Sequence, residues 1–118
     1  MKKSILICDD EEGIRESLKL ILEKDYDLSF VSNGLEAITS IKMAKYDLII
    51  LDIKMPKVSG VDTLREIKKI SPKHKVIVAT GYKSPEVVRE VAKLGVNDYV
   101  VKPFNIEEVK DKVRKLLL

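Results

Sequence analysis

The sequence predicts a doubly wound α/β domain with a parallel five-stranded sheet. Five short β-rich runs alternate strictly with five segments of helical periodicity, and the first and third runs are almost wholly apolar. Continuous apolar runs are what parallel strands covered on both faces require. Each of these two runs leads directly into carboxylates, Asp9-Asp10 and Asp52, so chemistry is expected at the carboxyl edge of the sheet.

The first strand is expected over residues 4–8. Ile14, Leu18, Ile21 and Leu22 then share one face of a first helix. A second strand follows at 27–31. Asn33 with Glu36 forms an N-cap and capping-box pair for a second helix, whose apolar face carries Ala37, Ile38, Ile41 and Ala44. The third strand covers 48–51, and Val61, Leu64, Ile67 and Ile70 mark the third helix. After a fourth strand at 76–79, Ser84-Pro85 supplies a cap and a first-turn proline for a helix with Val88, Val91 and Ala92, which Gly95 should end. The fifth strand covers 99–101. Asn105 with Glu108 caps a last helix carrying Ile106, Val109, Val113, Leu116 and Leu117. These stripes are core faces, and the likeliest strand order for five such units is 2-1-3-4-5, a preference set by known folds.

The whole chain of 118 residues suits one domain, 1–118, able to bury its own core. A net charge of +3 is too small to indicate nucleic acid or a membrane surface. Lys68-Lys69 and the basic residues within 110–115 alternate with core positions or acids, as a solvated helix face does. Cys8 is the only cysteine, so no intrachain disulfide can form, and its apolar neighbours predict a buried thiol. The apolar run after Lys2 and Lys3 stops at Asp9, too short for a signal core or a membrane span, so a cytoplasmic address is expected.

Taken singly, Asp9, Asp10 and Asp52 are each ordinary turn or helix-cap residues. Three carboxylates at the strand ends flanking the switch point of the sheet are another matter. Their mutual repulsion would raise at least one pKa unless a cation neutralised them. A hard, small dication that keeps waters and accepts phosphate oxygens describes Mg²⁺, whereas Zn²⁺ lacks suitably placed soft ligands. The fourth strand ends at Thr80-Gly81 and the fifth at Lys102-Pro103. They offer a hydroxyl, an unobstructed backbone N–H and an ammonium at the same edge. A cation about 4 Å from a phosphoryl oxygen contributes on the order of 4 kcal/mol at an effective dielectric of 20. Lys102-Pro103 also invites a cis peptide.

These motifs together resemble the receiver domain of bacterial two-component response regulators, a flavodoxin-like (βα)5 fold. The resemblance covers the whole chain and rests on Asp9-Asp10, the stretch from Asp52 through Lys54, Met55, Pro56, Lys57, Val58 and Ser59 to Gly60, Thr80-Gly81, and Tyr99 through Lys102, Pro103 and Phe104. It implies that Asp52 accepts a phosphoryl group from a phosphohistidine donor, a histidine kinase or phosphotransfer protein. It also implies that Asp10, Asp52 and the Lys54 carbonyl bind Mg²⁺, with Asp9 acting partly through water and Mn²⁺ or Ca²⁺ as substitutes. Lys102 and the Gly81 N–H would hold phosphoryl oxygens. Thr80 would move to bond another, and Tyr99 would turn inward with it. A shift from roughly 1:99 to 99:1 needs about 5.5 kcal/mol. One hydrogen bond from Thr80 to a charged oxygen supplies only about 1.5–3 kcal/mol, so loop reordering and Tyr99 burial must share the work.

By the same resemblance the protein is a regulator rather than an enzyme, promoting only its own phosphorylation and slow autodephosphorylation. The face of the fourth helix, fifth strand and fifth helix would control an effector or output domain, as a monomer or a phosphorylation-dependent homodimer, without direct contact to nucleic acid or membrane. Lys54 and Tyr82 flank the path of attacking water and are expected to slow hydrolysis. Lys54 with Tyr82, the run from Asp9 to Arg15 and the close of the chain resemble single-domain sporulation phosphorelay intermediates more than most receivers, which implies that Glu11, Gly13, Ile14, Pro103 and Phe104 ring the site and dock a four-helix partner. Ser59 stands where many receivers carry Asp, and either caps a helix.

Rival readings fit less well. A haloacid-dehalogenase-like Mg²⁺-dependent phosphatase wants Asp-x-Asp after the first strand, not adjacent Asp9-Asp10. A flavin-binding domain would need a hydroxyl- and glycine-rich loop where Asp9, Asp10, Glu11 and Glu12 would repel phosphate. A nucleic-acid module would rest on the solvated lysines. A phosphate-independent interaction module would not need so complete a site.

Overall fold

The computed structural model describes residues 2–54, 59–81 and 85–118. The elements run β1 (Ser4–Cys8), α1 (Glu12–Leu22), β2 (Asp27–Val31), α2 (Gly34–Met43), β3 (Leu48–Asp52), α3 (Gly60–Ile70), β4 (Val76–Thr80), α4 (Pro85–Lys93), β5 (Asp98–Val101) and α5 (Ile106–Leu117). All neighbours in the sheet are parallel, in the order β2-β1-β3-β4-β5, as the sequence predicts. The two halves wind in opposite directions from β1 and β3, and the crevice between their carboxyl ends lies beside Asp52.

Alternation along the central strands divides the core in two. Ile5, Ile7, Leu48, Ile50, Ile77 and Ala79 pack with Leu18 and Leu22 of α1 and Val109, Val113 and Leu117 of α5. Leu6, Cys8, Ile49, Leu51, Val76 and Val78 pack with Ala37 of α2, Leu64 and Ile67 of α3 and Val91 of α4. The all-buried β3 and β4 explain the unbroken apolar sequence, while edge strand β2 is mostly exposed.

The caps fall at the expected residues. Asn33 Oδ1 accepts from Glu36 N at 2.9 Å and Asn105 Oδ1 from Glu108 N at 3.0 Å. The Glu36 carboxylate reaches one residue beyond the expected box partner, accepting from Ser32 N and Ser32 Oγ, which holds its pKa below the ordinary value. Ser59 caps α3 by accepting from Asp62 N at 3.1 Å. Gly95 sits at φ +85° just past α4, a left-handed stop that suits glycine. The expected cap Ser84 lies outside the described residues, but Pro85 does open α4.

Four stripe residues depart from the core reading. Ala44 is the exposed C-cap of α2 rather than part of its buried face, because the helix stops at Met43. Ala92 is exposed, and Val87 takes the inward place on α4. Ile70 and Ile106 are the last residue of α3 and the first of α5, 40% and 53% exposed. The outer strand borders differ by one residue: β3, β4 and β5 include Asp52, Thr80 and Asp98.

Candidate functional site

The parallel pairing sets the functional side chains at one edge. Cys8 pairs with Leu51, Asp52 with Ala79, and Thr80 with Val101, so Asp9, Asp10, Asp52, Thr80 and Lys102 all emerge at or just beyond the strand ends. One ligand oxygen from each of Asp9, Asp10 and Asp52 falls within 4.8 Å of the others. Asp9 and Asp52 are buried and Asp10 is exposed.

Asp9 is the most constrained of the three. Its Oδ1 accepts from Glu11 N at 2.9 Å, and its Oδ2 lies 2.8 Å from Lys102 Nζ. Arg15, one turn into α1, donates from Nη1 to the Asp9 carbonyl at 2.7 Å. Asp52 Oδ1 accepts from Lys54 N at 3.1 Å, while its Oδ2 lies 3.4 Å from Lys102 Nζ. Burial, then the Asp9 charge, pushes the Asp52 carboxyl up to about 6, against the pull of Lys102 and the Lys54 N–H. Burial disfavours the charged Lys102, but the hydrogen bond to Asp9 and the charges of Asp52, Asp9 and Glu11 outweigh it and raise its pKa. The lysine therefore stays an ammonium. The Lys102–Pro103 peptide is cis.

Asp52, Lys54, Gly81, Lys102 and Glu11 line an open cleft of about 220 Å³. Thr80 is buried beside it at the end of β4. The cleft has room for a phosphoryl group and a hydrated ion. Ligand oxygens around an octahedral Mg²⁺ stand about 3–4 Å apart, so the three carboxylates fit such an ion with a small inward movement. Their all-oxygen chemistry suits it as well.

Glu11 is the exposed N-cap position of α1, and Gly13 and Pro103 are exposed. Ile14 and Phe104 are half-buried against the α1–α5 side of the core, so neither is wholly surface nor wholly interior. Tyr99 is half-buried, packed against the opposite core, with Lys112 Nζ 5.4 Å from its ring centroid. Lys112 also donates to the Tyr99 carbonyl at 2.6 Å and approaches Asp98 Oδ1 at 3.3 Å. Tyr82 and the stretch Met55, Pro56, Lys57 and Val58 lie outside the described residues.

Three contributors escape a reading of the sequence. Arg15 is found only once α1 is placed against the end of β1. Lys112 shows its link to Tyr99 only when α5 covers β5. Gly60 is the third: a Cβ there would lie 2.3 Å from the Asp52 carbonyl oxygen and 2.3 Å from Ile53 Cα, and Gly60 N donates to Ile53 O at 2.8 Å. The stretch from Asp52 to Gly60 drew notice in the sequence, but this close backbone approach shows only in the fold.

A family model for the response regulator receiver domain matches residues 5–114. Among curated relatives, sporulation initiation phosphotransferase F of Bacillus subtilis is 36% identical over 118 residues, covering 99% of this chain and 95% of that protein. Chemotaxis protein CheY of Thermotoga maritima is 37% identical, covering 98% of each. Among solved structures, response regulator TrrA of Thermotoga maritima, in complex with Mg²⁺-BeF, is 42% identical with a TM-score of 0.87, covering 98% of this chain and 99% of that one. The carboxylate cluster, the ammonium beside it and these matches lead to one conclusion: the chain belongs to the response regulator receiver domain family, the phosphoacceptor switches of two-component and phosphorelay signalling.

Proposed function

We propose that Asp52 is the phosphoacceptor, taking its phosphoryl group from a histidine kinase or histidine phosphotransfer protein. An Asp52 carboxylate oxygen attacks phosphorus as the P–N bond to the donor imidazole breaks. The bond's electron pair leaves on that nitrogen, and an acyl phosphate forms. The donor carries the activated group, so alignment and charge neutralisation are what this chain must supply. Asp10, Asp52 and the Lys54 carbonyl would hold Mg²⁺, with Asp9 acting partly through water and Mn²⁺ or Ca²⁺ as substitutes. The ion, when bound, neutralises charge on the phosphoryl oxygens.

The reading is carried by the position of Lys102, whose ammonium lies 3.4 Å from Asp52 Oδ2 at the wall of the open cleft. There it meets a phosphoryl oxygen on Asp52 without a large movement, and the Gly81 N–H offers a second contact. Thr80 then closes on the phosphoryl group while Tyr99 moves inward, altering the face of α4, β5 and α5 that an effector, an output domain or a second copy would meet. The site resets by slow autodephosphorylation, with Lys54 and Tyr82 hindering water. Residues 1–118 form one receiver unit that works in the cytoplasm, where its donors act. Glu11, Gly13, Ile14, Pro103 and Phe104 dock the donor. An Ile14→Ala variant that bound a phosphotransfer partner as tightly as the parent would remove Ile14 from that role.

Acetyl phosphate or phosphoramidate, with and without Mg²⁺, tests the proposal by intact mass. The expected result is a Mg²⁺-dependent gain of one phosphoryl group that is lost in Asp52→Ala. Many turnovers of a supplied phosphoester, or a gain retained in Asp52→Ala, would overturn it.

A further inference from the structure

The amino edge of the sheet, opposite Asp52, holds a second and larger concavity. Lys3, Lys45, Lys73 and Lys75 stand around a cavity of about 500 Å³ between the segments that enter β1, β3 and β4. Its lining also includes the apolar Ile41, Ala44 and Leu117, together with half-buried Tyr46.

The charges here do not balance: four lysines share the lining with one carboxylate, Asp47, whose pKa is held down by hydrogen bonds from Ser4 and by the charges of Lys3 and Lys75. Lys75 is engaged, donating to the Leu116 carbonyl at 2.6 Å. Asp47 is the one acid in the lining, and its Oδ2 already accepts from Ser4 N at 2.8 Å and Ser4 Oγ at 3.2 Å. Among the described residues, Lys3, Lys45 and Lys73 have no carboxylate within ion-pair distance. Four lysines against one carboxylate around a concave surface leave an excess of positive charge, which raises the local potential and concentrates anions. The cavity is within the usual size range of small-molecule sites, and its mixed lining suits a ligand with one anionic and one apolar part.

We propose that this cleft binds a phosphorylated small molecule of about mononucleotide size. Its phosphate lies among Lys3, Lys45 and Lys73, and its apolar or aromatic part lies against Ile41, Ala44 and Tyr46. The site is separate from the carboxylate cleft and does not depend on the phosphoacceptor assignment.

The test is a titration of isotopically labelled, Mg²⁺-free protein with AMP, adenosine and pyrophosphate at physiological salt, followed by amide chemical shifts. AMP is expected to shift Tyr46, Ser71, His74 and Lys75 with a Kd below about 1 mM. Adenosine and pyrophosphate are expected to bind at least about tenfold more weakly. The double variant Lys45→Glu, Lys73→Glu should keep the parent's melting temperature and lose at least about tenfold in AMP affinity. Shifts confined to Gly81 and Lys102, no saturation at these residues, or unchanged AMP affinity in the double variant would overturn the site. Adenosine or pyrophosphate binding as tightly as AMP would overturn the two-part ligand.

Discussion

Lys102 is held more closely by Asp9 than by Asp52: its Nζ lies 2.8 Å from Asp9 Oδ2 and 3.4 Å from Asp52 Oδ2. In the proposed acyl phosphate of Asp52, the ammonium would thus keep its anchor on the other carboxylate. Asp9→Asn should release that anchor and weaken Mg²⁺ binding by about tenfold or more, as loss of a group orienting a metal site does. Mg²⁺ titration by calorimetry measures it, and parent-like affinity would show that Asp9 contributes little.

Asp52 carries a cost in the metal-free protein. Its folded pKa of about 6 exceeds the ordinary 3.8, so the native state holds this proton more tightly than the unfolded chain. Stability from this group is full below about pH 4 and is lost as pH rises through about 6. Asp52→Asn should therefore stabilise the metal-free fold at pH 7.5 by about 1–2 kcal/mol, after allowance for solvent screening of an open cleft. The gain should shrink towards pH 4.5. Urea melts in EDTA at the two pH values check it, and an equal or absent gain at both would contradict a raised Asp52 pKa.

Gly60 leaves no space for a side chain. Gly60→Ala must push the Asp52–Ile53 backbone aside, and should destabilise the fold by about 2–3 kcal/mol. Because the displaced carbonyl belongs to the proposed acceptor, phosphorylation by acetyl phosphate should slow as well. A chemical melt within about 0.5 kcal/mol of the parent would mean that the loop yields freely.

Lys54 is exposed at the mouth of the cleft. If its stem obstructs in-line water, Lys54→Asn should shorten the lifetime of the phosphorylated protein severalfold, as followed by decay of the intact-mass adduct. Unchanged decay in both Lys54→Asn and Tyr82→Ala would remove the obstruction.

The five strands and the carboxylate cluster were legible because they depend on local pattern, whereas the sheet order followed from the preference of known five-unit folds. An apolar run followed by Asp fixes both a buried strand and the group that leaves it, so Asp9, Asp10 and Asp52 could be placed together before any coordinates. Helix ends were harder to judge. Ala44, Ala92, Ile70 and Ile106 keep the helical spacing, but whether a residue meets the sheet depends on where the helix axis passes its edge. Arg15, Gly60 and Lys112 were hidden for a related reason. Each acts on a backbone group of another segment, and backbone acceptors have no sequence signature.

The sulfur of Cys8 has a practical bearing on experiment. Enclosed in β1 and set beside Asp9, it has a pKa raised to about 12 by burial first and neighbouring carboxylates second. At pH 7 only about one molecule in 100,000 then carries the reactive thiolate. A cysteine introduced on the surface could be tagged with a fluorophore or spin label while the native thiol stays silent, so both edges of the sheet can be watched without first deleting Cys8.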